Sequence, residues 1–279
     1  MKLLLPLAVV VFATITAAGA GDPPPPRFAP LDSARFAAGA TLTNAFADID
    51  RDGDPDLFVG FNGAPNRLYR NDGGGRFAEV AAASGLAAAR ATRSAAFGDF
   101  DGDGDPDLAL GFAPGRDPVL QLSRNDGGVF TAVVLPGVPA DTGAQIRQFA
   151  WIDVDGDDDL DLFVGFRDRP NALLRNDSGG RRFVDVAMDV GLADPRKTVG
   201  AVWADLDADG DLDLVTANQD GDPNGVFVQE RGRFRDQADT LGLAWGGRTP
   251  RLAANGGVRP CVEDVDGDGR LDVFFANYG

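Results

Sequence analysis

No histidine occurs anywhere in the 279-residue chain, and Cys261 is its single cysteine. Without histidine the commonest general base, the usual zinc ligand and every Ser-His or Cys-His nucleophile pair are missing. A lone cysteine excludes an intrachain disulfide and any multi-cysteine metal site. Basic charge is scarce as well: 26 Lys and Arg stand against 43 Asp and Glu, which leaves a formal net charge of −17. That balance argues against nucleic acid and anionic membranes as partners, since both require basic surfaces. Apolar residues make up 44% of the chain, too many for a disordered acidic tail and enough for a large core.

One long apolar run, LLLPLAVVVFATITAA, follows Met1-Lys2 and ends near Ala18-Gly19-Ala20. A charged start, an apolar middle and a small-x-small end read as a secretory signal peptide over 1–20, cut after Ala20. An uncleaved anchor is the alternative, but Pro6 and the small-residue end favour cleavage. The mature chain is then expected outside the cytoplasm, secreted or periplasmic, with no membrane insertion. Residues 21–26, GDPPPP, read as a stiff extended leader, and 27–279 as the folded domain.

Aspartate is what the chain has in excess, and it is phased. DIDRDGDPD at 48–56 returns as DFDGDGDPD (99–107), DVDGDDDLD (153–161), DLDADGDLD (205–213) and DVDGDGRLD (264–272). The starts are 51, 54, 52 and 59 residues apart, a period that signals a repeat architecture. Each repeat has a short apolar lead-in, the acidic loop, and then a nearly continuous apolar run such as Leu57-Phe58-Val59-Gly60. Such runs predict strands covered on both faces. A third segment (NRLYRND, LQLSRND, NALLRND) ends in Gly-containing hairpin turns in the first three repeats, and a fourth opens on an aromatic (RFAEV, VFTAV, RFVDV, RFRDQ). Four short strands per repeat, without long helical periodicity, describe the blades of an all-β propeller. Cys261 holds the slot of Ala45, Ala96, Ala150 and Val202, so a core-filling role is expected for it.

Two unit charges 4 Å apart repel by about 4 kcal/mol at an effective dielectric of 20, so each loop is unfavourable unless a cation sits in it. Oxygen-only ligands suit a hard ion, and the tolerant geometry of Ca²⁺ suits them better than the strict octahedron of Mg²⁺. Side-chain ligands are expected at positions one, three, five and nine. These are Asp48, Asp50, Asp52 and Asp56; Asp99, Asp101, Asp103 and Asp107; and Asp153, Asp155, Asp157 and Asp161. The last two loops supply Asp205, Asp207, Asp209 and Asp213, then Asp264, Asp266, Asp268 and Asp272.

Position seven (Asp54, Asp105, Asp159, Asp211, Arg270) is expected to offer its backbone carbonyl, which is why Arg270 is tolerated. Position six needs a sharp turn with positive φ, suited to Gly53 and strained at Asp158. An EF-hand would need Glu at position twelve, where Val59, Leu110, Val164, Thr216 and Phe275 stand inside predicted strands. Up to five Ca²⁺ are expected, one per loop.

The loop DxDxDGDxD followed by an apolar strand resembles the FG-GAP/VCBS repeat of calcium-binding propellers such as integrin α heads. The unit NRLYRNDGGGRFAEVAAASGL (66–86), echoed at 171–192, resembles the ASPIC/UnbV (cartilage acidic protein-like) group. The resemblance covers nearly all of 27–279. It implies that the loop aspartates are calcium ligands and the repeats are blades. Such propellers usually have seven blades, whereas five loops are visible and the fifth copy stops at Gly279 after its second strand. The expectation is a propeller incomplete at its C-terminus, with PRFAPL (26–31) resembling a fourth strand; five blades closed by a defective seam is the alternative.

A secreted module binding an extracellular protein or glycan is the function expected, not an enzyme, because a catalytic pair would be confined to one or two blades. A lectin using Trp245 is one alternative and a carbohydrate-active enzyme another. Asn176-Asp177-Ser178 fits a glycosylation acceptor but coincides with a predicted hairpin turn. The long stretch 241–259 is the place expected for partner-specific contacts.

Overall fold

The computed structural model describes residues 36, 39–244 and 256–278. The expected signal peptide (1–20), the leader (21–26), the segment 26–31 and Trp245 lie outside them. The described residues form four four-stranded antiparallel sheets and one two-stranded sheet, each in simple sequential order. Their strands are β1 (Thr41–Ala47), β2 (Asp56–Phe61), β3 (Arg67–Asn71) and β4 (Phe77–Glu79) in the first sheet. The second holds β5 (Thr92–Gly98), β6 (Asp107–Phe112), β7 (Leu120–Asp126) and β8 (Val129–Val133). The third holds β9 (Ile146–Ile152), β10 (Asp161–Phe166), β11 (Ala172–Asn176) and β12 (Phe183–Asp185). In the fourth are β13 (Thr198–Ala204), β14 (Asp213–Asn218), β15 (Gly225–Glu230) and β16 (Arg233–Asp236), and in the last β17 (Gly256–Glu263) and β18 (Asp272–Tyr278). A single turn of helix, α1 (Ala187–Val190), follows β12.

The second strand of each complete sheet (DLFVGF, DLALGF, DLFVGF, DLVTAN) is buried at every position. Strands covered on both faces have no need of polar alternation, which is why these read as unbroken apolar runs. Successive first strands pack on one another, β1 on β5, β5 on β9, β9 on β13 and β13 on β17, so the sheets fan out as the blades of a propeller. Closure between the first and last sheets is not seen among the described residues.

The core lies in layers between blades rather than at one centre, as expected of a repeat protein. Phe58 and Leu68 of the first blade pack with Leu108, Leu110 and Phe130 of the second. Phe163 and Leu173 of the third pack with Leu214, Phe227 and Phe234 of the fourth. Trp151 shows how close the blades come. Its indole Nε1 donates to Ala96 O at 3.1 Å, and a Cβ on Gly98 would sit 2.6 Å from its ring.

Cys261 departs from the core-filling expectation: it is exposed. Its cross-strand partner Phe274 is 68% exposed, whereas the matching residues Phe58, Phe163 and Val215 are buried completely. In the other sheets this face is covered by a neighbouring blade, and among the described residues nothing covers it in the last one. Asn176 is fully buried, and its side-chain amide donates to Phe100 O at 2.8 Å, which leaves no room for a glycan there.

Candidate metal centre

Each acidic loop joins the first strand of a blade to its second, and the aspartates build it by position. The position-one carboxylate takes the amides of positions five and six: Asp48 accepts from Asp52 N and Gly53 N at 3.1 and 2.9 Å. Asp99, Asp153, Asp205 and Asp264 repeat this wrap. The position-five carboxylate accepts from the amide of position seven, as Asp52 does from Asp54 at 2.9 Å and Asp209 from Asp211 at 3.0 Å.

Two left-handed residues make the turn so tight. At position six Gly53, Gly104, Gly210 and Gly269 have φ between 84° and 98°, and Asp158 is held at 70°. Position four is left-handed as well, a requirement not foreseen from the sequence. Gly102, Gly156 and Gly267 meet it freely, while Arg51 (φ 59°) and Ala208 (φ 61°) are strained there. Replacing Ala208 by glycine relieves that strain at some cost in chain entropy. Ala208→Gly is therefore expected to stabilise the protein by roughly 0.5–1 kcal/mol, measured by urea unfolding at fixed calcium.

The position-nine aspartate opens the second strand and is buried completely in four loops, at Asp56, Asp107, Asp161 and Asp213. Both of its oxygens are used. Asp56 accepts from Ile49 N at 2.8 Å and, across the sheet, from Asn71 N at 2.7 Å. The same pair of bonds ties Asp107 to Phe100 and Asn125, Asp161 to Val154 and Asn176, and Asp213 to Leu206 and Gln229. Asp272 is exposed and accepts only from Val265, because no third strand is paired with β18 among the described residues.

Positions one, three and nine converge. Asp48, Asp50 and Asp56 each bring a carboxylate oxygen within 4.8 Å of the other two. So do Asp99, Asp101 and Asp107; Asp153, Asp155 and Asp161; Asp205, Asp207 and Asp213; and Asp264, Asp266 and Asp272. Position five is not in these groups; one of its two oxygens accepts from the position-seven amide. The position-seven side chain turns towards the hairpin between third and fourth strands, where Asp105 accepts from Gly127 N and Asp159 from Gly179 N. That orientation agrees with a carbonyl role at position seven and with arginine at 270.

The donor set fits a hard divalent cation. Asp50 Oδ1 and Asp101 Oδ1 are buried within the groups and have no hydrogen-bond partner, an arrangement costly for a carboxylate unless a cation meets it. Burial is the largest cause lifting the carboxyl of Asp107 to about 7 and that of Asp161 to about 6, with neighbouring aspartates adding to it and backbone amides opposing it. Burial raises Asp56 and Asp213 too, again with carboxylate repulsion behind it.

A carboxyl raised in the folded state contributes most when it is protonated and loses that contribution as pH climbs through its folded value. For Asp107 the loss runs from its ordinary 3.8 to about 7. In chelator the melting temperature is thus expected to fall between about pH 4 and pH 7 and to level off above that. Calcium should flatten that slope, since the ion favours the ionised form; parallel thermal scans with and without calcium check both.

Arginines are the part of the site that sequence reasoning missed. The Arg-Asn-Asp repeated in the third segment places Arg124 Nε 2.9 Å from Asp101 Oδ2. Arg70 and Arg175 stand 3.9 and 3.8 Å from Asp50 and Asp155. Arg51 of the first loop reaches the second, 2.7 Å from Asp105. The asparagine of the same motif joins blades, with Asn125 Nδ2 donating to Ile49 O at 3.0 Å. The repetition was visible as text, but the motif arginines' partners lie about twenty residues away in the loop of the same blade and the asparagines' partners in the preceding blade.

A family model described as FG-GAP-like repeat matches residues 48–110, 153–216 and 205–275, and one described as FG-GAP repeat matches 91–130. Cartilage acidic protein 1 of Homo sapiens is 28% identical over 180 residues, 58% of this chain and 27% of that protein. The Xenopus tropicalis protein of that name is 30% identical over 190 residues, 63% of this chain and 29% of its own. The matched part thus spans less than a third of these relatives' length. Among solved structures, BBS1N in complex with ARL6DN gives a TM-score of 0.46 at 15% identity, covering 71% of this chain and 56% of that one.

Proposed function

The chain belongs to the FG-GAP-like repeat family, and from that premise we propose that it is an exported calcium-binding propeller that holds out a rigid surface for an extracellular protein or glycan. The observation that carries the proposal is the fivefold recurrence of three carboxylates with oxygens within 4.8 Å of one another. In each loop positions one, three, five and nine would hold the ion and the position-seven carbonyl would add a further oxygen. Bound calcium supplies charge neutralisation and cross-linking there. The chain's own residues already set the loop: position one wraps it, position five closes it, and position nine pins it to the third strand.

Support for export comes from the leader-like start of the sequence. No helix among the described residues is long and apolar enough to cross a membrane. A binding role is favoured over a catalytic one because the acidic groups recur blade after blade, whereas a reaction centre is single. A glycan array and a panel of extracellular proteins, probed in 2 mM calcium and again in chelator (about the millimolar range of extracellular sites), test this reading. Calcium-dependent binding without turnover of the ligand is the expected result. Turnover of a glycan, abolished by one substitution outside the five loops, contradicts it.

A further inference from the structure

We propose that the arginines of the third strands are resident counter-ions that rank the loops by calcium affinity, loop four (205–213) binding most tightly and loop two (99–107) most weakly. The inference rests on the reading of the loops as calcium sites. The amide that clamps the position-nine aspartate comes from Asn71, Asn125, Asn176 and Gln229 in the first four blades, so these four residues are equivalent. The residue before each is then also equivalent: Arg70, Arg124, Arg175 and Val228. Three blades carry a guanidinium at this point, and the fourth carries a buried valine.

The three arginines are not equally committed to the loop. Arg124 Nε lies 2.9 Å from the position-three carboxylate Asp101, and the same side chain donates to Gly180 O of the next blade at 3.1 Å. Arg70 and Arg175 divide themselves between position three, at 3.9 and 3.8 Å, and the hairpin aspartates Asp72 and Asp177. Loop two also receives Arg51 from the first blade, with Nε 2.7 Å from Asp105 and an NH₂ donating to Asp103 O at 3.0 Å. Among the described residues no arginine is paired with Asp205, Asp207 or Asp213.

A guanidinium at a carboxylate offsets repulsion while the site has no ion and opposes a second cation when one arrives. An ion entering loop two must displace or tolerate two fixed positive charges, whereas among the described residues none is paired with the carboxylates that an ion would meet in loop four. Loops one and three fall between. The order follows from charges placed by the blade's own strand, so one repeat motif yields sites of graded strength without altering the aspartates.

Each of the four ranked loops has its own reporter, the position-six amide that donates to the position-one carboxylate: Gly53, Gly104, Asp158 and Gly210. Following these amides by ¹⁵N-resolved NMR during a CaCl₂ titration of the chain gives a Kd for each. Gly210 is expected to saturate at least about tenfold earlier than Gly104, a difference of about 1.4 kcal/mol. Arg124→Met, which keeps the apolar stem, should tighten loop two by about tenfold, and Arg124→Lys should leave it weak. Equal Kd values in all four loops of the unaltered chain overturn the ranking while leaving calcium binding intact, and need no variant to fold. Tightening by Arg124→Lys as large as by Arg124→Met also overturns it. If no reporter shifts even at 10 mM CaCl₂, well above the weak end of extracellular calcium sites, the calcium reading itself fails, and this ranking with it.

Discussion

Chelating divalent cations should lower the melting temperature of the chain by on the order of 20 °C. A site with a Kd near 10⁻⁴ M, filled at millimolar calcium, adds about 1.4 kcal/mol of stability. Five such sites add about 7 kcal/mol, which is comparable to the whole stability of an ordinary domain. For a protein of this size each kcal/mol moves the midpoint by roughly 2–4 °C. The repulsion that calcium removes is built into the loops: position-three carboxylates such as Asp101 and Asp155 are held above their ordinary range by burial first and by neighbouring aspartates second. Differential scanning calorimetry in calcium and in chelator reads the shift directly.

Within one loop, two aspartates of the same acidic group should behave in opposite ways. Asp213 is fully buried and accepts from Leu206 N and Gln229 N, both at 2.8 Å. Asp213→Ala strands two amides, and each unpaired buried group costs about 1–3 kcal/mol. A loss of about 3 kcal/mol or more is expected, and it should persist in chelator because the clamp does not depend on the ion. Asp207, at position three, is held up by burial and by the charges of Asp209 and Asp205, and no arginine among the described residues is paired with it. Asp207→Asn should cost at least about 1.4 kcal/mol in calcium, through loss of the site, and raise stability in chelator by removing a like charge. Urea unfolding of both variants under both conditions gives the four values.

The sequence made the repeats, the strand order and the carboxylates of positions one, three and nine legible, because all three are local or periodic. Leu57 to Gly60 is apolar throughout because β2 is covered on both faces, and such burial leaves a direct mark in composition. Position six was readable for a similar reason: glycine recurs where φ is positive, and Asp158 stands out as the substitute that bears the strain. Position four was not readable, since arginine and alanine stand there in two loops and hide the same backbone demand.

Long-range partners were the other blind spot. Asp56 is legible as a ligand, but its second duty, accepting from Asn71 N fifteen residues on, is not. Arg124 reads as a strand residue until Asp101 is found 2.9 Å away. Cys261 was misplaced because its slot is half-buried in other blades only through the sheet that packs beside it.

Isothermal titration of CaCl₂ into the chain tests the account at its centre. Uptake of about five ions, in more than one affinity class and accompanied by a rise in melting temperature, is the predicted result. A flat titration with an unchanged melting point would show that the acidic loops are not cation sites, and the proposed function would fall with them.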